Sequence, residues 1–236
     1  MEKPFYEFNL TSTHNLITEL EELYSFASDT SNYTKLIFRG PEREGFVNTI
    51  KSFETYDDLV IEHSEINNWI ERENFYIGQL SLFGNSFDWK KYPLIYKFII
   101  EKIFEIYGSD IIVSKINNKT FRVNKFNISD GLLTMYKKGG RLSAHQDGKS
   151  PIKQLFSKPA NILLYLNKEY KREWGGNFIV DGTEIIPSFG KLVFLNFRGD
   201  SDPMHEVSIV KEDINRIAIL FNVTYLNSER IIWNIE

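Results

Sequence analysis

The sequence contains no cysteine, and that absence excludes several chemistries at once. Disulfides, Cys-ligated zinc, iron–sulfur clusters and thiol nucleophiles all require a residue the chain lacks. A bound metal would have to be held by His, Asp, Glu or backbone oxygen, and histidine is itself scarce, at four residues. No apolar run approaches the roughly 18 residues needed to span a bilayer. The start, Met1-Glu2-Lys3-Pro4-Phe5-Tyr6-Glu7, lacks the basic head and apolar centre of a secretion signal. A soluble, cytoplasmic protein without a membrane partner is therefore expected. No excess of basic residues is present either: the formal net charge is −4, which argues against a nucleic-acid partner.

Aromatic residues are plentiful. Nineteen Phe and twelve Tyr among 236 residues provide enough apolar surface for a substantial core, so extensive disorder is excluded. Charge is distributed unevenly. Residues 1–80 carry −9 and the remainder +5, consistent with an acidic solvated face near the N-terminus.

No repeat or linker divides the chain. Residues 1–110 read as a mainly helical support region. Ser12 or Thr13 is placed to cap a helix through Asn15–Tyr24, a second helix is predicted over Tyr56–Arg72, and a third follows Pro93 and ends before Gly108. The third is apolar on most faces and is expected to lie against a sheet. Residues 111–236 change texture. Short β-rich runs at 111–116, 120–127, 132–137, 161–166, 177–180, 183–186, 191–197, 206–210 and 216–225 are separated by turn signals, among them Asp181-Gly182 and Pro187-Ser188-Phe189-Gly190. The pattern predicts an α+β protein: an antiparallel sandwich or barrel in the C-terminal half with helices packed on it, forming one structural unit.

His145-Gln146-Asp147 sets an imidazole and a carboxylate two residues apart, so on an extended segment both project from one side toward a common cation. His63-Ser64-Glu65 has the same spacing inside a helical pattern, where positions two apart diverge. His205, just before a β run, is a candidate third ligand. Two His and one carboxylate with open positions suit non-haem Fe(II). Arg216 opens the strand Arg216–Val223 on the same face as Ala218 and Leu220. It is either an edge residue closing the turn after Lys211-Glu212-Asp213 or an inward guanidinium, which needs a partner such as the carboxylate of a ligand. Residues 148–160 read as a long loop beside the metal motif. Lys137, Lys138, Arg141, Lys149, Lys153 and Lys158 flank that motif, either as solvated charges or as attraction for an anionic substrate.

Several pieces in order, Tyr136–Asp147, Asn161–Asn167, Trp174-Gly175-Gly176-Asn177-Phe178, Pro187–Phe194, His205-Glu206-Val207 and Arg216, resemble the Fe(II)- and 2-oxoglutarate-dependent oxygenases of the prolyl-4-hydroxylase-like branch. The likeness spans roughly residues 130–225. It implies a double-stranded β-helix (jelly-roll) core, with Fe(II) held by His145, Asp147 and His205. It further implies that Arg216 pairs with the distal carboxylate of 2-oxoglutarate, with Tyr165 beside it and Tyr136 lining the pocket. Arg216 stands eleven positions after His205, where some relatives place the basic residue nine or ten positions after, so a slightly longer turn is expected here. The activity implied is a dioxygenase that consumes dioxygen and hydroxylates an unactivated C–H bond of a small molecule or amino acid. Peptidyl-prolyl hydroxylation is the alternative substrate class, and a non-catalytic β-helix scaffold the alternative outside catalysis.

Overall fold

The computed structural model describes residues 3–39, 58–62, 72–78, 91–107, 111–116, 119–124, 126–128, 132–146, 160–196 and 203–225. The strands are β1 (Phe5–Asn9), β2 (Tyr33–Arg39), β3 (Asp58–Glu62), β4 (Arg72–Gly78), β5 (Ile111–Ile116), β6 (Lys119–Asn124), β7 (Phe126–Ile128) and β8 (Leu132–His145). They continue as β9 (Ala160–Tyr165), β10 (Phe178–Val180), β11 (Thr183–Ile185), β12 (Lys191–Asn196), β13 (His205–Val207) and β14 (Arg216–Tyr225). Among the described residues two α-helices accompany them, α1 (Ile17–Ser28) and α2 (Pro93–Tyr107).

The central path of the sheet runs β1-β12-β9-β14-β8-β13-β10-β11, antiparallel throughout. Its strands sort their residues by parity. On one face Ile162, Leu164, Leu192, Phe194, Ile217, Ile219 and Phe221 pack with Leu20 and Leu23 of α1 and Ile95, Ile99 and Ile103 of α2. On the other face Tyr165, Val193, Leu195 and Ala218 join Tyr136, Phe178, Val180 and Val207 in a second cluster inside the curled sheet. Burial of each large aliphatic or aromatic side chain contributes about 1.5–3 kcal/mol, so both faces stabilise the roll. The predicted jelly-roll core is observed.

The N-terminal region differs from its expected character. The helix predicted over Tyr56–Arg72 is not formed: Asp58–Glu62 is a strand, parallel to β2, and Arg72 opens β4, which pairs with β8. Leu59-Val60-Ile61 is a short apolar run with two β-branched residues, which sheet pairing claims as a strand. Residues 63–71, with His63 and Glu65, lie outside the described residues. Ser12 and Thr13 do not cap α1. Two short 3-10 turns precede it, the first capped by the Asn9 side chain, and Ser12 Oγ donates to Asn9 O. Helix α2 forms as expected, yet only one stripe, Ile95, Ile99 and Ile103, is fully buried, while Leu94 and Tyr96 face solvent. Its first turn is capped by a residue of α1: Leu94 N and Ile95 N donate to the two carboxylate oxygens of Glu19 at 3.0 and 2.9 Å.

The strand predicted at 132–137 also runs further than expected. Gly139, at φ 81°, bends the strand instead of ending it. The first half of β8 pairs with β14 and the second with β13, so β8 joins the two halves of the roll.

Candidate active site

His145 is the last residue of β8, His205 the first of β13, and the two stand opposite each other in the antiparallel ladder. Cross-strand partners project to the same side. Their rings accordingly lie 4.2 Å apart between centroids, inclined by 50°. Both are buried. Each Nδ1 contacts the carbonyl two residues back, Ser143 O at 2.9 Å and Pro203 O at 3.1 Å. A carbonyl oxygen can only accept, so each Nδ1 carries a proton, and in the neutral ring this leaves the lone pair on Nε2, the tautomer a metal ligand requires. The ring of Phe178 stands edge-on to His205 at 5.7 Å. The Asp181-Gly182 hairpin turn fixes the entry to β13: Met204 N donates to Asp181 Oδ1 and Asp181 N to Met204 O, each at 2.9 Å.

Arg216 heads β14 opposite Tyr136 of β8. It is 1% exposed and heads the fully buried side chains by size among the described residues. Nε donates to Gly176 O at 2.8 Å, and Nη2 lies 3.5 Å from the Tyr165 hydroxyl. The guanidinium also sits 5.4 Å from the ring centre of Tyr136 and 5.1 Å from that of Tyr165. Among the described residues no carboxylate pairs with it. A buried cation without a counterion is costly, several kcal/mol in real proteins, so this arrangement favours an incoming anion. Burial pushes the Tyr165 hydroxyl up to about 12 although Arg216 pulls the other way, so it is a neutral donor at ordinary pH. The inward reading of Arg216 therefore holds, and the edge reading does not.

Gly175 and Gly176, at φ 71° and 63°, let the backbone approach this cation. A Cβ on Gly175 would fall 1.9 Å from Ile209 O, and one on Gly176 2.5 Å from the Tyr170 hydroxyl. That hydroxyl donates to Gly175 O at 2.7 Å. Tyr170 and the Gly176 carbonyl are parts of the Arg216 surroundings that the sequence reading passed over; the adjacent Gly-Gly pair was the available signal. Trp174 packs edge-on against Tyr170 at 5.8 Å.

Asp147 and most of the 148–160 loop, with Lys149, Lys153 and Lys158, lie outside the described residues. Among the described residues no three His, Asp or Glu side chains gather. His14 is exposed on the N-terminal 3-10 turn. The structure thus brings together His145 with His205, and Arg216 with Tyr136 and Tyr165. Phe178 links the two groups, because it touches His205 and belongs to the inner cluster with both tyrosines. These donors fit an Fe(II) ion and a dicarboxylate: two imidazoles stand side by side, and among the described residues the buried guanidinium has no acid beside it.

Residues 131–224 match the family described as the 2OG-Fe(II) oxygenase superfamily. No curated protein matches the chain. Among solved structures, a prolyl-4-hydroxylase from Pseudomonas putida aligns with 13% identity and TM-score 0.51, over 94% of this chain and 93% of its own. A prolyl hydroxylase from Trichoplax adhaerens, solved with a hypoxia inducible factor peptide fragment, aligns with 13% identity and TM-score 0.54, over 96% and 84%. A viral collagen prolyl hydroxylase from Paramecium Bursaria Chlorella virus-1, in its 2OG complex, aligns with 13% identity and TM-score 0.50, over 95% and 97%. Identities this low speak for the fold, the jelly roll expected from the sequence. Residues 131–224 are thus similar to the 2OG-Fe(II) oxygenase superfamily, a family that works with Fe(II), 2-oxoglutarate and dioxygen.

Proposed function

We propose that the protein hydroxylates an unactivated C–H bond of a small molecule or amino acid, with Fe(II) held by His145, Asp147 and His205. When bound, iron and 2-oxoglutarate supply the oxidant: dioxygen gives one oxygen atom to succinate and one to the substrate, with release of carbon dioxide. The observation that carries this reading is the pairing of His145 and His205 with both Nδ1 atoms already donating to carbonyls.

Each side chain has a defined task. The carbonyls of Ser143 and Pro203 hold the two imidazoles in the ligating tautomer before metal arrives. Arg216 binds the distal carboxylate, held at Nε by Gly176 O so that its Nη atoms face the ligand. Tyr165 keeps its hydroxyl proton and donates to the same carboxylate, and the Tyr136 ring lines the pocket. Phe178, Val180, Leu195 and Val207 exclude water around these groups. The screening of charge by solvent is thereby reduced.

The test is anaerobic titration of the Fe(II)-loaded protein with 2-oxoglutarate, followed by succinate release in air. A panel of amino acids and metabolites is then scored for stimulated release. Proline-containing peptides belong in the same panel, because the fold resembles that of structures described as prolyl hydroxylases. Absence of both 2-oxoglutarate binding and succinate release would refute the reading.

A further inference from the structure

We infer that Asn167 is a positioning residue for the cosubstrate anchor: its side-chain amide sets the place of Arg216 at the head of β14 and thereby the affinity for 2-oxoglutarate. The inference rests on the role proposed above for Arg216.

The ladder between β9 and β14 ends at the pair Tyr165–Ala218. One further backbone bond, Leu166 N to Ile217 O at 3.2 Å, is made before β9 departs. The peptide units around Ile217, which follow directly on Arg216, then need another partner. Asn167 provides it. Its Oδ1 accepts from Ile217 N at 2.6 Å, and its Nδ2 donates to Ile217 O at 3.0 Å. The amide thus stands in for a strand that has ended.

Its second Nδ2 proton goes to Pro187 O at 2.7 Å. Pro187 begins the turn whose Gly190 N donates to Tyr165 O at 2.9 Å. Asn167 therefore ties the head of β14 to the turn that also fixes the backbone of Tyr165, the second group on the expected carboxylate. With 4% of its surface exposed and both amide protons engaged, Asn167 has little freedom. A Leu has the same branching but no polar atom to offer, so the amide's distinctive contribution is direction.

Asn167→Asp keeps the size and the acceptor for Ile217 N but sets a carboxylate against the carbonyls of Ile217 and Pro187. The Fe(II)-loaded variant, titrated under nitrogen, should bind 2-oxoglutarate about tenfold more weakly, while its Fe(II) affinity stays at the wild-type value. Asn167→Ser, which keeps one hydroxyl, serves as the second variant should the first not fold. Because Asn167 acts through Arg216, adding Asn167→Asp to Arg216→Ala should weaken 2-oxoglutarate binding no further than Arg216→Ala alone. A folded Asn167 variant with wild-type 2-oxoglutarate affinity, even at lowered melting temperature, overturns the inference. So does full additivity in the double variant. If Arg216→Ala itself leaves affinity unchanged, the anchor reading falls and this inference with it, a result distinguishable from failure of Asn167 alone.

Discussion

Arg216→Met separates a cation kept for a ligand from one kept for the fold. In the ligand-free protein the guanidinium bears a desolvation penalty of several kcal/mol. Against this stand one charged hydrogen bond to Gly176 O, worth about 1.5–3 kcal/mol, and two cation–π contacts at about 0.5–2 kcal/mol each. These terms nearly cancel. Methionine gives up all of them, leaves Gly176 O without its donor at about 1–3 kcal/mol, and regains apolar burial. The net change in ligand-free stability should be within about 2 kcal/mol, an unusually small effect for replacing so large a fully buried side chain.

The ligand-bound comparison should look quite different. At 2-oxoglutarate a hundred times its dissociation constant, the wild type gains about 2.7 kcal/mol. In a domain of this size that is about 5–10 °C of melting temperature. Arg216→Met should gain almost nothing, since a desolvated charge pair stripped of one partner loses about 2–5 kcal/mol. Scanning calorimetry of the Fe(II)-loaded proteins under nitrogen, with and without 2-oxoglutarate, measures both quantities. A variant that keeps the ligand shift would refute the anchor. A ligand-free loss above about 4 kcal/mol would show that Arg216 carries the fold instead.

Other outcomes follow from the same contacts. His145→Ala should abolish stoichiometric Fe(II) binding and turnover, whereas His14→Ala, on an exposed turn, should leave both intact; iron assay by atomic absorption decides. Asp147→Gly should weaken iron binding and lose hydroxylation, and chloride or azide should partly restore the metal; hydroxylation at wild-type rate would remove Asp147 from the ligand set. Gly176→Ala should reduce both stability and 2-oxoglutarate affinity, because its Cβ falls 2.5 Å from the Tyr170 hydroxyl and the residue carries the Arg216 acceptor. Burial raises the hydroxyls of Tyr165 and Tyr170 to about 12, above their usual 10. Above pH 10 the unfolded chain releases these protons more readily, so the stability they contribute is complete below pH 10 and is lost progressively up to about pH 12. Urea unfolding at pH 9 and 11 should show a smaller decline in Tyr170→Phe than in the wild type.

What the sequence disclosed depended on whether a residue's role is local. Strands β9, β12 and β14 were legible because each separates two cores by parity, and the Asp181-Gly182 turn because its chemistry is its own. The strand Asp58–Glu62 was not, since a short apolar run takes its conformation from the partner it meets. Nor was the passage of β8 through Gly139, where a residue that commonly ends strands instead bends one. His145, His205 and Arg216 could be proposed as a set because each stands at a strand end. Asn167, Tyr170 and the Glu19 cap of α2 could not, as each acts on backbone brought near only by the tertiary fold.

The bend in β8 also explains how one strand serves two parts of the site. Tyr136 faces Arg216 and His145 faces His205, nine positions apart on the same chain segment. A straight strand of that length would separate them by about 30 Å, far beyond the reach of a five-carbon diacid. Gly139 and Gly140 sit between them, and there the strand leaves its register with β14: Gly139 N donates to Val210 O at 2.7 Å and Gly140 O accepts from Val210 N at 2.9 Å. Val210 also bridges Gly175, next to the carbonyl that holds Arg216 Nε. The segment after β13 is therefore pinned at once to the bend and to the Gly-Gly turn, which orients β8 toward both partners. The ten residues between His205 and Arg216 include this double attachment, so the longer connection is ordered by hydrogen bonds at Val210 and Lys211 and does not loosen the head of β14.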